Sequence, residues 1–490
     1  MGTRRAALLV ALAWLVVALP LLHAFGPTWD AVLGPFPYGN DVLDWVANGD
    51  GDFVSHAESK PQPQMRAPYP AFHPRRDSWY TAFPLFAVLS ALSNALLWNT
   101  WGWVPATSAH LLVVPLAMAL LLYALVGFAA RNGAGLAAGV AGAVLLVASP
   151  RVFGHALSNL KDVPGTLLFA LTMFALYRAL TATGRGDGGA DDAGRRDDGD
   201  ARVPVGADVM RWAVVGLLAG LAAAQKPNAA FLPVQALAFV VLARVPGLAG
   251  RGESAPRIPL VGLVAAVLVG LGVWLGTNPA FYSDPVGHVG EHLRFYLAHN
   301  TQSDDVAMFD SDGSRWLGMA QILWTTPWPV LLLAPLGLVL GRAPRRLRVF
   351  VAIGVAEPAL RTALPGWPEF DGIRHVLELQ PFLALAAGMG VVVVAGWVAA
   401  RVSTRSGDAA SRALSGAAGG GADESPGLAR GGTSGSSARS AVLVACVFAA
   451  ALPGVLATAR TFPLSTCWFN EVVGGVAGAR AAEVEDATDF

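Results

Sequence analysis

Between two long apolar runs, the stretch from Pro150 to Pro164 gathers Arg151, His155, Asn159, Lys161 and Asp162. If the flanking runs cross a bilayer, these groups stand at its edge, where ionisable side chains are costly unless they face a cavity or one another. A carboxylate, two cations, an imidazole and an amide so close together can hold an anion or move a proton. The competing reading is a solvated loop whose charges happen to lie near each other.

Other polar groups recur at the ends of apolar runs: Asp41 and Asp44, then Gln225-Lys226-Pro227-Asn228, the segment from His288 to Arg315, and Asp371-Gly372-Ile373-Arg374-His375. In a chain otherwise rich in arginine, the lysines are Lys60, Lys161 and Lys226. Lysines beside carboxylates at a membrane surface suit an anion, most simply a phosphate or pyrophosphate. For Asp41 the alternative is a solvated loop carboxylate, and for Arg374 and His375 it is snorkelling at a helix end. His56, His73, His110 and His155 lack the helical spacing with carboxylates that a metal site uses. No metal ligand or cofactor is therefore assigned, and participation of a divalent metal is left open. No P-loop, dinucleotide fingerprint or Ser-His-Asp signature occurs.

What must position these groups follows from composition. With 54% hydrophobic and 14% charged residues in 490, the chain is too apolar for a soluble domain. Its Leu-, Ala-, Val- and Gly-rich runs approach the ~20 residues that cross a bilayer as a helix. Strand alternation is absent, which excludes a β-barrel and predicts an all-α integral membrane protein. A formal net charge of zero argues against nucleic acid as a partner. The two cysteines, Cys446 and Cys467, provide neither a metal or redox motif nor a disulfide framework.

Charge placement orients the spans. Arg4 and Arg5 stay inside, so the first apolar run, read as an uncleaved helix, leads outward. Treating Trp79 to Trp98 as a helix lying on the outer surface puts the arginine-bearing loops inside throughout. About eleven transmembrane helices are then expected, near 6–24, 107–130, 134–149, 164–182, 209–224, 229–243, 258–276, 316–340, 347–363, 376–400 and 440–458.

The organisation expected is a first helix over 1–24 and a long outer loop over 25–106 with interfacial helices and carboxylates. Spans and a second outer loop fill 107–182, further spans 209–400, and the last span 440–458. Segments 183–208 and 401–439, rich in Gly, Ser, Ala and Asp, read as disordered cytoplasmic linkers, and 459–490 as an outer C-terminal segment. Small-residue spacings such as Gly135/Gly139 and Gly216/Gly220 permit close helix packing, although among 55 glycines such matches carry little weight.

On this topology the polar groups converge on the outer face. Moving a sugar off a lipid phosphate requires a carboxylate to deprotonate or orient the acceptor and cations to neutralise the departing phosphate. Because a polyprenyl tail cannot leave the lipid, such a site belongs at the membrane surface.

The order of these features resembles the GT-C superfamily of polytopic glycosyltransferases, and within it the protein O-mannosyltransferase and aminoarabinose transferase group (family 39-like). The resemblance rests on the acidic first outer loop, the Pro-rich approach to a surface helix near Tyr80, Asn159-Leu160-Lys161-Asp162-Val163-Pro164, Gln225-Lys226-Pro227 and Gly372-Ile373-Arg374-His375. It includes Cys467-Trp468-Phe469-Asn470-Glu471-Val472-Val473-Gly474-Gly475, similar to a Tyr-Phe-Asn-x-x-Val-Gly-Gly segment of bacterial members.

The resemblance implies a GT-C-like fold and catalytic roles for Asp41, with Asp44 as its understudy, and Asp162. It matches Lys226 and Arg374 to the basic residues that hold the donor phosphate. Lys161 joins them, with His155, Asn159 and His375 in support. Many relatives carry Asp-Glu where this chain has Asp41-Val42, and similar proteins often continue into an outer soluble domain beyond the position of Phe490.

The expected protein is a multi-pass cell-membrane glycosyltransferase whose partners are the lipid bilayer, a polyprenyl-phosphate sugar donor and an extracytoplasmic acceptor (protein, lipid or glycan). The alternative is a transporter or flippase of lipid-linked sugars. Transporters tend to show internal repeats and midplane sites, whereas here the charges collect at helix ends and no repeat is evident. A polysaccharide polymerase or ligase differs from the first reading only in acceptor.

Overall fold

A computed structural model describes residues 2–28, 35–49, 51–55, 84–182, 205–248, 256, 258–299, 316–364, 372–417 and 434–481. Among them the regular structure is helical and no strand occurs. The helices are α1 (Thr3–Leu21), α2 (Pro35–Asn48), α3 (Pro84–Asn94), α4 (Ala106–Arg131), α5 (Leu136–Ala148) and α6 (Pro150–Ser158). They continue as α7 (Asp162–Thr181), α8 (Val205–Gln225), α9 (Leu232–Leu242), α10 (Leu260–Gly276), α11 (Pro285–His299) and α12 (Leu317–Thr325). The last are α13 (Trp328–Leu340), α14 (Arg345–Arg361), α15 (Gln380–Ala417), α16 (Ser434–Thr461) and α17 (Gly475–Ala481).

Among the described residues, six helical stretches are long and apolar enough to cross a bilayer, and two bent pairs would raise the number to eight. The eleven spans expected from hydropathy thus resolve into fewer elements of that length. Pro227–Leu242 and Leu260–Gly276 are shorter apolar helices, and α14 has 17 residues.

One expected span ends in a sharp turn and another is broken within. The run 134–149 yields α5, which turns by 76° into α6. Ser149 there is extended (φ −73°, ψ 120°), as a residue preceding proline prefers, and Pro150 starts the new helix without needing an amide proton. The run 316–340 is likewise bent by 104° between α12 and α13. Its hinge is Thr326, extended before Pro327 at φ −101°, ψ 132°.

Other boundaries also move. The expected second outer loop, Arg151 to Asp162, is largely the buried helix α6. The expected disordered linker 401–439 is helical to Ala417 and again from Ser434; no proline falls between Ala399 and Ala417 to stop the helix. Of the expected linker 183–208, residues 183–204 lie outside the described residues, and α8 begins at Val205. Of the helix expected over 79–98, residues 79–83 lie outside the described residues; the rest is α3, prolonged by a π-helical turn at Ala95–Thr100, with Trp98 exposed in that turn and Trp101 and Trp103 exposed after it.

Inside lipid, apolar side chains gain little by leaving the solvent, so helices associate through close packing. The N-terminal half of α15 lies in the centre against α5 and α13. A Cβ at Gly388 would come within 2.3 Å of the Ala138 carbonyl oxygen, so only glycine allows this approach. Gly216 and Gly220 are similarly pressed on Ala266 and Gly270 of α10, which gives their spacing a packing role. Around Phe350, the rings of Phe128, Tyr177, Phe239 and Phe382 join α4, α7, α9, α14 and α15 into one core.

Candidate active site

The bend before α6 folds a polar helix into the protein. Arg151 is 2% exposed; its Nε donates to the Trp468 carbonyl at 2.9 Å, and its guanidinium lies 4.5 Å from the centroid of the Phe469 ring. Gly154 admits the same C-terminal segment, because a Cβ there would meet Thr466 Cγ2 at 2.7 Å. Arg151 therefore anchors the Trp468-Phe469 segment.

Asn159 ends α6 and shapes the turn into α7. Its Oδ1 accepts from the backbone amides of Lys161 (3.1 Å) and Asp162 (2.8 Å), while its Nδ2 donates to Asp162 Oδ2 at 2.8 Å. The same Nδ2 stands 3.3 Å from His155 Nδ1. One amide thus closes the turn and orients the carboxylate.

Asp162 and Lys226 are both buried, and Lys226 Nζ lies 2.7 Å from Asp162 Oδ1. Lys226 stands extended between the end of α8 and the 3-10 turn Pro227–Phe231. Gln225 secures that junction by donating from Nε2 to the Lys161 carbonyl at 3.2 Å. Lys161 and Arg374 also stand near enough for their positive charges to act on Asp162. One carboxylate is thereby set among three cations in a poorly screening environment.

The expected loop at Gly372 to His375 is a 3-10 segment, Gly372–Leu379, leading into α15. Its carbonyls are held by the neighbouring turn: Lys226 Nζ donates to Arg374 O at 2.7 Å and Asn228 Nδ2 to His375 O at 2.6 Å. Asn228 Nδ2 also reaches Glu378 Oε1 at 2.8 Å, and Glu378 pairs with Arg361 of α14. Arg361 Nη1 lies 3.6 Å from Glu357, to which Gln235 Nε2 donates at 2.5 Å. A recess between Gly165, Phe169, Lys226, Asn228 and Glu378 opens on this network.

Asp162, Asn159, His155 and Lys226 are thus brought into one connected group, with Lys161 and Arg374 beside it and His375 joined through its carbonyl. Asp41 and Asp44 stand on a separate element, α2, which packs on α3. Asp44 Oδ1 accepts from Asn48 Nδ2 at 3.1 Å within that helix. Tyr38, one turn before Asp41, is buried and donates to Asn278 Oδ1 at 2.9 Å. Burial, with Tyr282 nearby, pushes the Tyr38 phenol well above the ordinary tyrosine range, so it serves as a neutral donor that ties α2 to the end of α10. Asp371 lies outside the described residues.

Glu357, Arg361, Glu378 and Gln235 were not among the residues expected from sequence. A signal for the three ionisable ones was present, because each falls inside or beside an expected span, where an ionisable group marks a functional site by default. Among the described residues, no group of three His, Cys, Asp or Glu side chains is placed to hold a metal.

The fold is similar to that of ArnT from Cupriavidus metallidurans in two crystal structures. For the form bound to undecaprenyl phosphate, the TM-score is 0.49 at 16% identity, covering 94% of this chain and 75% of that one. For the apo form, the TM-score is 0.47 at 15% identity, covering 93% and 75%. No protein-family model and no curated protein matches this chain.

Proposed function

We propose that this protein is a multi-pass membrane glycosyltransferase of the GT-C kind that moves a sugar from a polyprenyl-phosphate donor to an extracytoplasmic acceptor at the outer face of the cell membrane. The observation that carries the reading is the buried Asp162–Lys226 pair with Lys161 and Arg374 around it. A cluster of basic side chains at a helix end suits a phosphate whose lipid tail remains in the bilayer.

In the reaction, the acceptor oxygen attacks the anomeric carbon while the bond from that carbon to the phosphate oxygen breaks. Asp41 takes the acceptor proton, and the polyprenyl phosphate leaves with the bonding electron pair. Lys226 and Arg374, with Lys161, balance the charge that develops on the phosphate. Asp162 pairs with the Lys226 ammonium and aims it before the donor arrives. His155, Asn159 and His375 support this arrangement from behind.

The test is transfer of radiolabelled sugar from polyprenyl-phosphate donors by the full chain in proteoliposomes. Transfer by the wild type, lost in Asp41→Asn with donor binding retained, supports the reading. No transfer from any donor, together with movement of labelled lipid across the bilayer, replaces it with a flippase.

A further inference from the structure

Asn228 connects two layers of the site. A single nitrogen, Nδ2, carries both of its side-chain protons, and here it serves two acceptors, His375 O at 2.6 Å and Glu378 Oε1 at 2.8 Å. Glu378, 2% exposed, is in turn paired with Arg361, whose guanidinium lies 4.5 Å from the centroid of the Phe231 ring. The short 372–379 segment is therefore pinned at successive carbonyls, Arg374 O by Lys226 and His375 O by Asn228. Between them they fix the backbone that carries the Arg374 side chain. A 3-10 segment has poorer hydrogen-bond geometry than an α-helix, so side-chain contacts of this kind decide where it sits.

We propose that Asn228 and Glu378 are positioning residues that hold Arg374 in register for an anionic lipid phosphate, with Arg361 acting as the buried counter-ion that holds Glu378 in place. This rests on the phosphate reading of the Lys226 site. Both act through the segment that carries Arg374. Asn228 fixes the segment, and Glu378 fixes Asn228. Substrate affinity would thus depend on an ionic layer beneath the site itself.

The experiment measures binding of a short-chain polyprenyl phosphate to the full-length protein in detergent, with thermal melting to show that each variant is folded. Asn228→Ala is expected to weaken binding about tenfold, the size of one charge-assisted hydrogen bond. In an Arg374→Ala background the same change should cost less than about twofold, because the residue it positions is gone. Glu378→Gln retains an acceptor for Asn228 but removes the charge opposite Arg361; it should show the same dependence on Arg374 and serves if Asn228→Ala does not fold.

Equal losses in both backgrounds would reduce these residues to general structural support and overturn the proposal. So would binding as tight as wild type, provided Lys226→Met loses it. A wild type that binds no polyprenyl phosphate would overturn the phosphate reading and this proposal together.

Discussion

Lys226 Nζ lies 2.7 Å from Asp162 Oδ1 and 2.7 Å from the carbonyl oxygen of Arg374. A single ammonium therefore joins the start of α7, the end of α8 and the segment leading into α15. Taking both charges out of water carries a large desolvation cost, and their attraction offsets it only while both partners remain.

Asp162→Asn would leave the Lys226 ammonium buried beside a neutral amide. Removing one member of such a pair costs about 3–5 kcal/mol, so the melting temperature in detergent should fall markedly and sugar transfer should be lost. The double variant Asp162→Asn/Lys226→Met should recover much of the melting temperature without recovering transfer. Transfer restored in the double variant would show that the ammonium plays no part in holding the phosphate.

For Asp41→Asn, turnover should drop by about 100-fold or more, the range for loss of a general base, while affinity for the donor stays within about twofold of wild type. Asp44→Asn should retain most turnover, since Asn48 can still pair with an amide at that position. Steady-state transfer with varied donor and acceptor separates the two; loss confined to Asp44→Asn would reassign the base.

Tyr38→Phe removes one of the two donors to Asn278 Oδ1, which keeps the Ala280 amide at 3.2 Å, at a cost of roughly 0.5–1.5 kcal/mol. Because Tyr38 lies on the helix that carries Asp41, the expected effect on catalysis is a lower turnover with donor affinity unchanged. A variant with normal turnover and only a lower melting temperature would confine Tyr38 to structural support.

Asn470 donates to the carbonyls of Leu323 (2.6 Å) and Thr326 (2.9 Å) at the break between α12 and α13. With Asn470→Ala, hydrogen exchange in residues 320–331 should accelerate, and stability should fall by roughly 1–3 kcal/mol. Unchanged exchange there would mean that the bend is held by Pro327 alone.

Much of the site's membership was legible in the chain. Asp162, Asn159, Lys226 and Arg374 announce themselves as polar groups at the ends of apolar runs, a local property that needs no knowledge of partners. The prolines at 150 and 327 were equally visible, yet hydropathy averaged over a window runs through Pro327 and reads a continuous span, and before Pro150 it ends a span without showing that the chain turns back into a helix. A bend of 76° or 104° therefore went unseen, and with it the conversion of an expected outer loop into the buried helix α6. Arg361 and Glu378 were passed over for a related reason: a lone charge inside an apolar run hardly alters its mean hydropathy.

By itself the sequence determined the class of the protein. Hydropathy, the run lengths and the distribution of arginine require a helical membrane protein, and the placement of carboxylates and lysines singles out the helix ends where chemistry is expected. The tertiary structure decided who pairs with whom. Lys226 meets the Arg374 carbonyl across 148 positions, Arg151 meets Trp468 across 317, and Asn228 meets Glu378 across 150. Contacts at such separations arise only when helices pack in a particular register, set by close approaches such as Gly388 on α5 and by the proline-driven bends, and no pattern confined to neighbouring residues encodes them.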